Sequence, residues 1–77
     1  MKLPKVGQSI YRCFSDYSFN IGKVILITGD IIWYTLLETS NNHFTIGNNY
    51  NYDFTYNIEN AIVANSLEEI NKIRTFQ

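Results

Sequence analysis

Apolar and polar residues alternate along much of the chain, which predicts a protein built mainly of β-strands. Gln8–Phe14 and Tyr50–Asn57 both follow a period of two, which fits an extended strand and not a helix. Gly22–Thr28 is apolar on both faces over most of its length, which is typical of a central strand. Ile31–Glu38 is predicted to be its antiparallel partner, because Gly29-Asp30 between them has the pattern of a two-residue hairpin turn.

Shorter segments fill the spaces between these strands. Ser15–Asn20 is rich in turn residues and is predicted to be a loop anchored by aromatic side chains. Asn41-Asn42 predicts a second turn, His43–Ile46 a short fourth strand, and Gly47–Asn49 a third turn leading into Tyr50–Asn57. The strand signals therefore occur in meander order along the chain.

The pattern changes near the C-terminus. Ser66 followed by Glu69 matches a capping box, which predicts the start of a helix. Leu67, Ile70 and Ile73 then fall on one helical face, and Phe76 lies one turn further on. Such a short helix must be held by docking. For Asn60–Asn65 both a helical turn and another strand stay open.

These elements predict a mainly β fold: a small SH3-like barrel or bent antiparallel sheet of four to five strands with a short C-terminal helix. The chain has 77 residues, of which 45% are hydrophobic and 16% aromatic, a composition that fits a globular domain. At this length we expect a single domain spanning residues 1–77, near the lower limit for a protein without disulfides or metals.

The N-terminal residues resemble the start of small SH3-like barrel proteins, many of them encoded by bacteria and phages. The resemblance rests on the sequence PKVGQSIYR, from Pro4 to Arg12, in which Gly7 precedes a Tyr-Arg strand that leads into a bent hairpin. It covers about the first half of the chain. It implies a module that binds proteins or nucleic acids and is not an enzyme, without assigning any functional residue.

Charge is low and unevenly placed. The net charge is −1, and no Lys or Arg occurs from Val24 to Asn71, whereas members of such barrels that bind nucleic acids carry basic central strands. Cys13 is the single cysteine, so an internal disulfide is excluded. The longest apolar stretch is interrupted at Thr28–Asp30 and is too short to span a bilayer. We expect a cytoplasmic protein without a membrane partner.

Catalytic chemistry finds little support in the sequence. Cys13 lies mid-strand among apolar residues, where a thiol stays protonated, and His43 is the single histidine. One His and one Cys thirty positions apart match no metal-ligand spacing. No Gly-rich loop enters a helix, as phosphate binding would need. The prediction is therefore a non-enzymatic protein without cofactor or metal.

An alternating aromatic strip is the strongest candidate for a binding surface. Tyr50, Tyr52, Phe54 and Tyr56 fall on every second residue and would share one face of a strand. One interpretation buries them in the core with Trp33 and Phe44. The other exposes them, because tyrosine hydroxyls need partners and rigid aromatic rings beside amides are typical of binding surfaces. The predicted binding residues are Tyr50, Tyr52, Tyr56, Asp53 and Trp33.

The sequence thus predicts an inhibitor or adaptor of a phage or mobile element that acts by binding a host protein. One alternative is a nucleic-acid-binding barrel that gathers Arg12, Lys23, Lys72 and Arg74. Another is a structural subunit that self-associates through its aromatic or edge strand as a homo-oligomer.

Overall fold

The computed structural model describes residues 4–54 and 61–75. This part of the chain forms one antiparallel sheet of five strands followed by a helix. The elements are β1 (Ser9–Cys13), β2 (Phe19–Thr28), β3 (Ile31–Thr39), β4 (Asn49–Asp53), β5 (Ala61–Ala64) and α1 (Leu67–Thr75). Their order across the sheet is β4-β3-β2-β1-β5. The predicted mainly β fold, with four to five strands and a short C-terminal helix, is confirmed.

The long β2–β3 hairpin bends the sheet. Gly29 has φ of +59° at the first turn position, as the Gly29-Asp30 pattern predicts. The pairing register shifts twice, leaving Ile25 and Leu37 as extra residues, and such bulges increase local bending and twist. Gly22 is required where the strands approach, because a Cβ there would lie 2.4 Å from Cδ2 of Tyr34.

Apolar residues pack on both faces of the sheet. The inner face carries the larger cluster, made of Ile10, Val24, Ile32, Tyr34, Leu36, Tyr52 and Phe54. On the opposite, outer face, α1 places the buried Ile70 against Ile21 and Ala64. The helix covers only the part of the outer face formed by β1, β5 and the start of β2.

The segment between β3 and β4 differs from the prediction. His43–Ile46 is not a strand, because the N–H of Phe44 donates to the carbonyl of Asn41 at 3.2 Å and closes a turn. The Phe44 ring stacks on Phe14 with centroids 5.3 Å apart and meets Tyr50 edge-on at 5.0 Å. The aromatic residue that suggested a strand anchors a loop instead.

The structure also defines the end of β4 and part of the segment Asn60–Asn65, for which the sequence left helix and strand open. β4 ends at Asp53, and residues 55–57 of the predicted Tyr50–Asn57 strand lie outside the described residues. The undecided segment contains β5, which pairs with β1.

The helix begins as its capping pattern predicts. Oγ of Ser66 accepts from the N–H of Glu69 at 3.2 Å. The Glu69 carboxylate accepts from the N–H of Asn65 at 3.0 Å, one residue earlier than in a standard capping box. Ile70 is fully buried, whereas Ile73 is 37% exposed. Phe76 lies outside the described residues.

Candidate functional site

The loop between β1 and β2 presents an unusual tyrosine. The N–H of Phe14 donates to the carbonyl of Ser18 at 2.8 Å, and the N–H of Tyr17 donates to the carbonyl of Phe14 at 3.0 Å. This is a three-residue hairpin loop whose last residue takes the left-handed conformation that glycine normally fills. Tyr17 takes it with φ of +68°, alone among the described non-glycine residues, and its side chain is 88% exposed.

Packing of the Tyr17 side chain does not offset the free-energy cost of its backbone conformation. A left-handed backbone costs an L-residue roughly 1–2 kcal/mol, and an 88% exposed ring buries too little apolar surface to offset it. Stability therefore does not explain a tyrosine here. Strained, exposed residues of this kind occur at binding and switch sites.

Asp16 fixes the shape of the loop. One oxygen of its carboxylate accepts from the Ser18 hydroxyl at 2.6 Å and from the Ser18 N–H at 2.9 Å. The hydroxyl bond is the main reason that the pKa of Asp16 lies below its usual value, and the bond from the Ser18 N–H acts in the same direction. The hairpin tip thus carries a negative charge on the residue before Tyr17.

The β3–β4 segment is tied to this hairpin. Ser40 accepts from the N–H of Phe19 at 2.8 Å through Oγ, and its own N–H donates to the Phe19 carbonyl at 3.0 Å. Nδ2 of Asn41 donates to Oγ of Ser18 at 3.4 Å. The two loops therefore form one continuous surface.

A buried polar network supports that surface from below. Asn20 is fully buried, and its amide nitrogen donates to the Tyr34 hydroxyl at 3.2 Å. Its amide oxygen accepts from the Thr39 hydroxyl at 2.6 Å, and Thr39 in turn accepts from the N–H of Asn41 at 3.0 Å. Satisfied buried networks of this kind hold a unique arrangement of the groups they join.

The two loops enclose an open depression of about 470 Å³. It is lined by Asp16, Ser18, Ser40, Asn41, Asn42 and His43. We call these six residues together with Tyr17 the loop site. A tyrosine on a fixed backbone beside Ser and Asn residues has the composition of antibody binding loops. Small-molecule pockets are mostly apolar and enclosed, so the loop site fits a macromolecular surface better.

The predicted aromatic strip belongs largely to the core. Tyr52 and Phe54 are 1% and 3% exposed, so the prediction of Tyr52 as a contact residue is corrected: its ring faces the inner cluster. Tyr50 is half-buried, and its hydroxyl accepts from the N–H of Thr45 at 2.8 Å. Tyr56 lies outside the described residues. Of the two interpretations of the strip, burial holds for Tyr52 and Phe54.

Trp33 and Asp53 are separated from the tyrosines by the sheet. Both are half-buried, and both lie on the outer face, because they alternate with residues that point into the inner cluster. Trp33 pairs with Asn51, and Asp53 pairs with Ile31. The four predicted binding residues that the structure describes therefore do not form one surface.

The basic residues of the nucleic-acid hypothesis whose side chains are described, Arg12, Lys23 and Lys72, are also divided between faces, and the side chain of Arg74 lies outside the described part. The Arg12 guanidinium lies on the inner side, 4.5 Å from the ring centroid of Phe14 and 4.8 Å from that of Tyr52. Lys23 is exposed on the outer face. Lys72 lies 4.0 Å from Glu68 on the exposed side of α1. Arg12 therefore does not share a basic surface with the two lysines.

The next features are the cysteine, metal-ligand groups and membrane-spanning helices in the described part of the chain. Cys13 is half-buried, and its thiol donates to the Phe14 carbonyl at 3.6 Å. Within residues 4–54 and 61–75, no group of three or more His, Cys, Asp or Glu side chains is placed to hold a metal ion. In the same part of the chain, none of the helical structure is long and apolar enough to cross a membrane.

The sequence predicts a loop at Ser15–Asn20 and a turn at Asn41-Asn42 but not that the two meet in one site. One signal was available, since a Ser two residues after an Asp commonly closes a side-chain turn. In this chain, that pattern encloses Tyr17. The left-handed backbone at Tyr17 and the contact between the loops had no signal in the sequence.

No protein-family model matches the chain, and no curated protein or solved structure is significantly similar to it.

Proposed function

We propose that this protein is a small, non-enzymatic, SH3-like binding module that acts by binding another protein through the loop site. The observation that carries the proposal is Tyr17, an 88% exposed aromatic residue held in a left-handed conformation. A ring with few rotatable bonds, presented on a fixed hairpin, loses little conformational entropy when it enters a partner's pocket.

The charge and chemistry of the loop site support a protein partner. The ionised Asp16 beside Tyr17 would oppose nucleic acid but would suit an apolar pocket with a basic rim. Ser and Asn side chains around the depression can adapt their hydrogen bonds to a polar rim. The resemblance of the N-terminal half to barrels encoded by phages and bacteria favours a host protein as the partner, met in the cytoplasm.

Capture from a lysate of the native host tests this proposal. The full chain is immobilised, the retained protein is identified, and its affinity for the purified chain is then measured. Tyr17→Asn keeps a residue that accepts the left-handed conformation but removes the ring. We expect it to weaken binding at least about tenfold, the effect of losing an aromatic anchor.

Val6→Asn is the matched control, because Val6 is a 61% exposed apolar residue outside the loop site. It should bind like the parent protein and unfold close to the parent's midpoint, whereas Tyr17→Asn should unfold at or above that midpoint. A folded Tyr17→Asn protein that binds its partner with unchanged affinity would rule out the loop site as the contact surface.

Nucleic-acid binding is the second function that the sequence suggests, and no contact in the described residues favours it. Titration of a labelled single strand and a duplex at two salt concentrations tests it directly. We expect no binding even at low salt.

A further inference from the structure

Among the described residues, half of the outer face of the sheet is not covered by α1, and this half has an apolar centre. α1 packs over β1, β5 and the start of β2, which leaves the surface formed by β2, β3 and β4. Its middle row is Leu26–Trp33–Asn51, with Leu26 50% exposed. On β3, Ile31 and Thr35 flank Trp33 on the same face. We call this surface the Trp33 face.

The two charged residues of the Trp33 face lie at opposite corners. The row beyond Thr35 begins with Lys23 on β2 and ends with Asn49 on β4. The row beyond Ile31 begins with Thr28 on β2 and ends with Asp53 on β4. One cation and one anion are thus placed diagonally across an apolar centre.

We propose that the Trp33 face is the interface of a symmetric homodimer. A two-fold axis through Trp33, running along the other diagonal from Thr28 to Asn49, brings each Lys23 opposite Asp53 of the second copy. A two-fold interface needs one surface that is complementary to itself. The diagonal charges meet this need, and the axis also stacks the two Trp33 side chains at the centre.

The pattern of the face matches the general anatomy of interfaces. Its centre is aromatic and aliphatic without charge, and the charged and amide side chains form its rim. A second copy is the fitting occupant, because the face carries one base, Lys23, and one acid, Asp53, at the two positions that the two-fold axis brings together.

The size of the face sets the expected strength. Its nine residues are fewer than the roughly 20–30 per side of a standard interface, so we expect a dissociation constant on the order of 100 µM. Sedimentation of the purified full chain from about 10 µM to about 1 mM should then show monomer passing to dimer. Trp33 is the single tryptophan, so its emission should shift to shorter wavelength over the same range.

Two variants test the position of the interface. Leu26→Lys places a charge at the centre without disturbing the half-buried Trp33, and it should weaken dimerisation at least about tenfold. Tyr17→Asn alters the loop site alone and should dimerise like the parent chain. These variants separate the dimer from the proposed binding of a protein partner.

Charge reversal tests the axis. Lys23→Glu and Asp53→Lys should each weaken the dimer roughly fivefold to tenfold, since each creates two like-charge contacts. The combined variant restores both ion pairs and should return to within about twofold of the parent protein. A monomer across the full concentration range, or a dimer unaffected by Leu26→Lys, would overturn the interface. Single variants that weaken the dimer without rescue in the combined variant would overturn the axis.

Discussion

At the scale of single residues, the left-handed backbone of Tyr17 is expected to lower the stability of the fold. Glycine adopts this conformation without steric cost, although it loses more entropy on folding than other residues. Tyr17→Gly should therefore raise the free energy of unfolding by about 0.5–1 kcal/mol, because the exposed ring contributes little packing. Urea unfolding followed by circular dichroism measures this change.

Ser15→Gly in the same loop is the control for Tyr17→Gly. Ser15 does not have a positive φ, so glycine there adds flexibility without relieving strain. We expect it to lower stability by about 0.5–1 kcal/mol. Loss of stability in Tyr17→Gly would show that the ring makes contacts that outweigh the strain of its backbone.

Burial of the aromatic strip shows how far alternation alone can predict a residue's role. It correctly placed Tyr50, Tyr52 and Phe54 on one face. It could not tell which face is covered, because that depends on how the sheet curls around residues distant in sequence. Trp33, on the neighbouring strand, is equally aromatic but points to the other side.

At the scale of elements, α1 depends on its N-terminal cap. The helix has nine residues, too few to be stable alone, and it is held by the fully buried Ile70 and by the bond from the Glu69 N–H to Ser66. Ser66→Ala leaves that N–H without its acceptor and should cost about 1 kcal/mol. Thermal unfolding followed by circular dichroism measures the loss.

Glu68→Ala provides the comparison for the cap. Glu68 forms an exposed pair with Lys72 at 4.0 Å, and surface pairs of this kind contribute little. It should change stability by less than about 0.5 kcal/mol. Equal losses in Ser66→Ala and Glu68→Ala would mean that charge at the first turn, and not the cap, stabilises the helix start.

Elements specified by neighbouring residues could be predicted, and elements specified by distant contacts could not. The Gly29-Asp30 turn and the Ser66 cap act over a few residues and carry clear sequence patterns. β5 exists because β1 offers it a pairing edge about fifty residues away. Phe44 lies in a loop because Phe14 and Tyr50 hold its ring there, which no local pattern reveals.

At the scale of the whole molecule, the curl of the sheet brings β1 close to β4, although β2 and β3 lie between them. The N–H of Phe54 donates to the carbonyl of Asp30 at 3.0 Å, and hydrogen-bonded pairs alternate along two antiparallel strands. The Trp33–Asn51 pair is therefore not hydrogen-bonded, and the peptide groups of Asn51 point away from β3. Nη1 of Arg12 donates to the Asn51 carbonyl at 3.1 Å. A side chain from β1 thus covers part of an edge that would otherwise invite pairing with another chain.

Burial of Tyr52, whose ring lies against Arg12 on the inner face, makes the stability of the whole fold sensitive to alkaline pH. Burial raises the pKa of Tyr52 to about 12, although the neighbouring Arg12 charge lowers it. The folded pKa lies above the unfolded value of about 10, so the neutral Tyr52 hydroxyl contributes to the free energy of unfolding. This contribution is complete below a pH of about 10 and is lost as the pH rises to about 12, roughly 2–3 kcal/mol in all. Urea unfolding at a series of alkaline pH values measures the loss. Tyr52→Phe cannot ionise at this position and should lose correspondingly less stability over the same range, whereas an identical loss in both proteins would assign the alkaline transition to other groups.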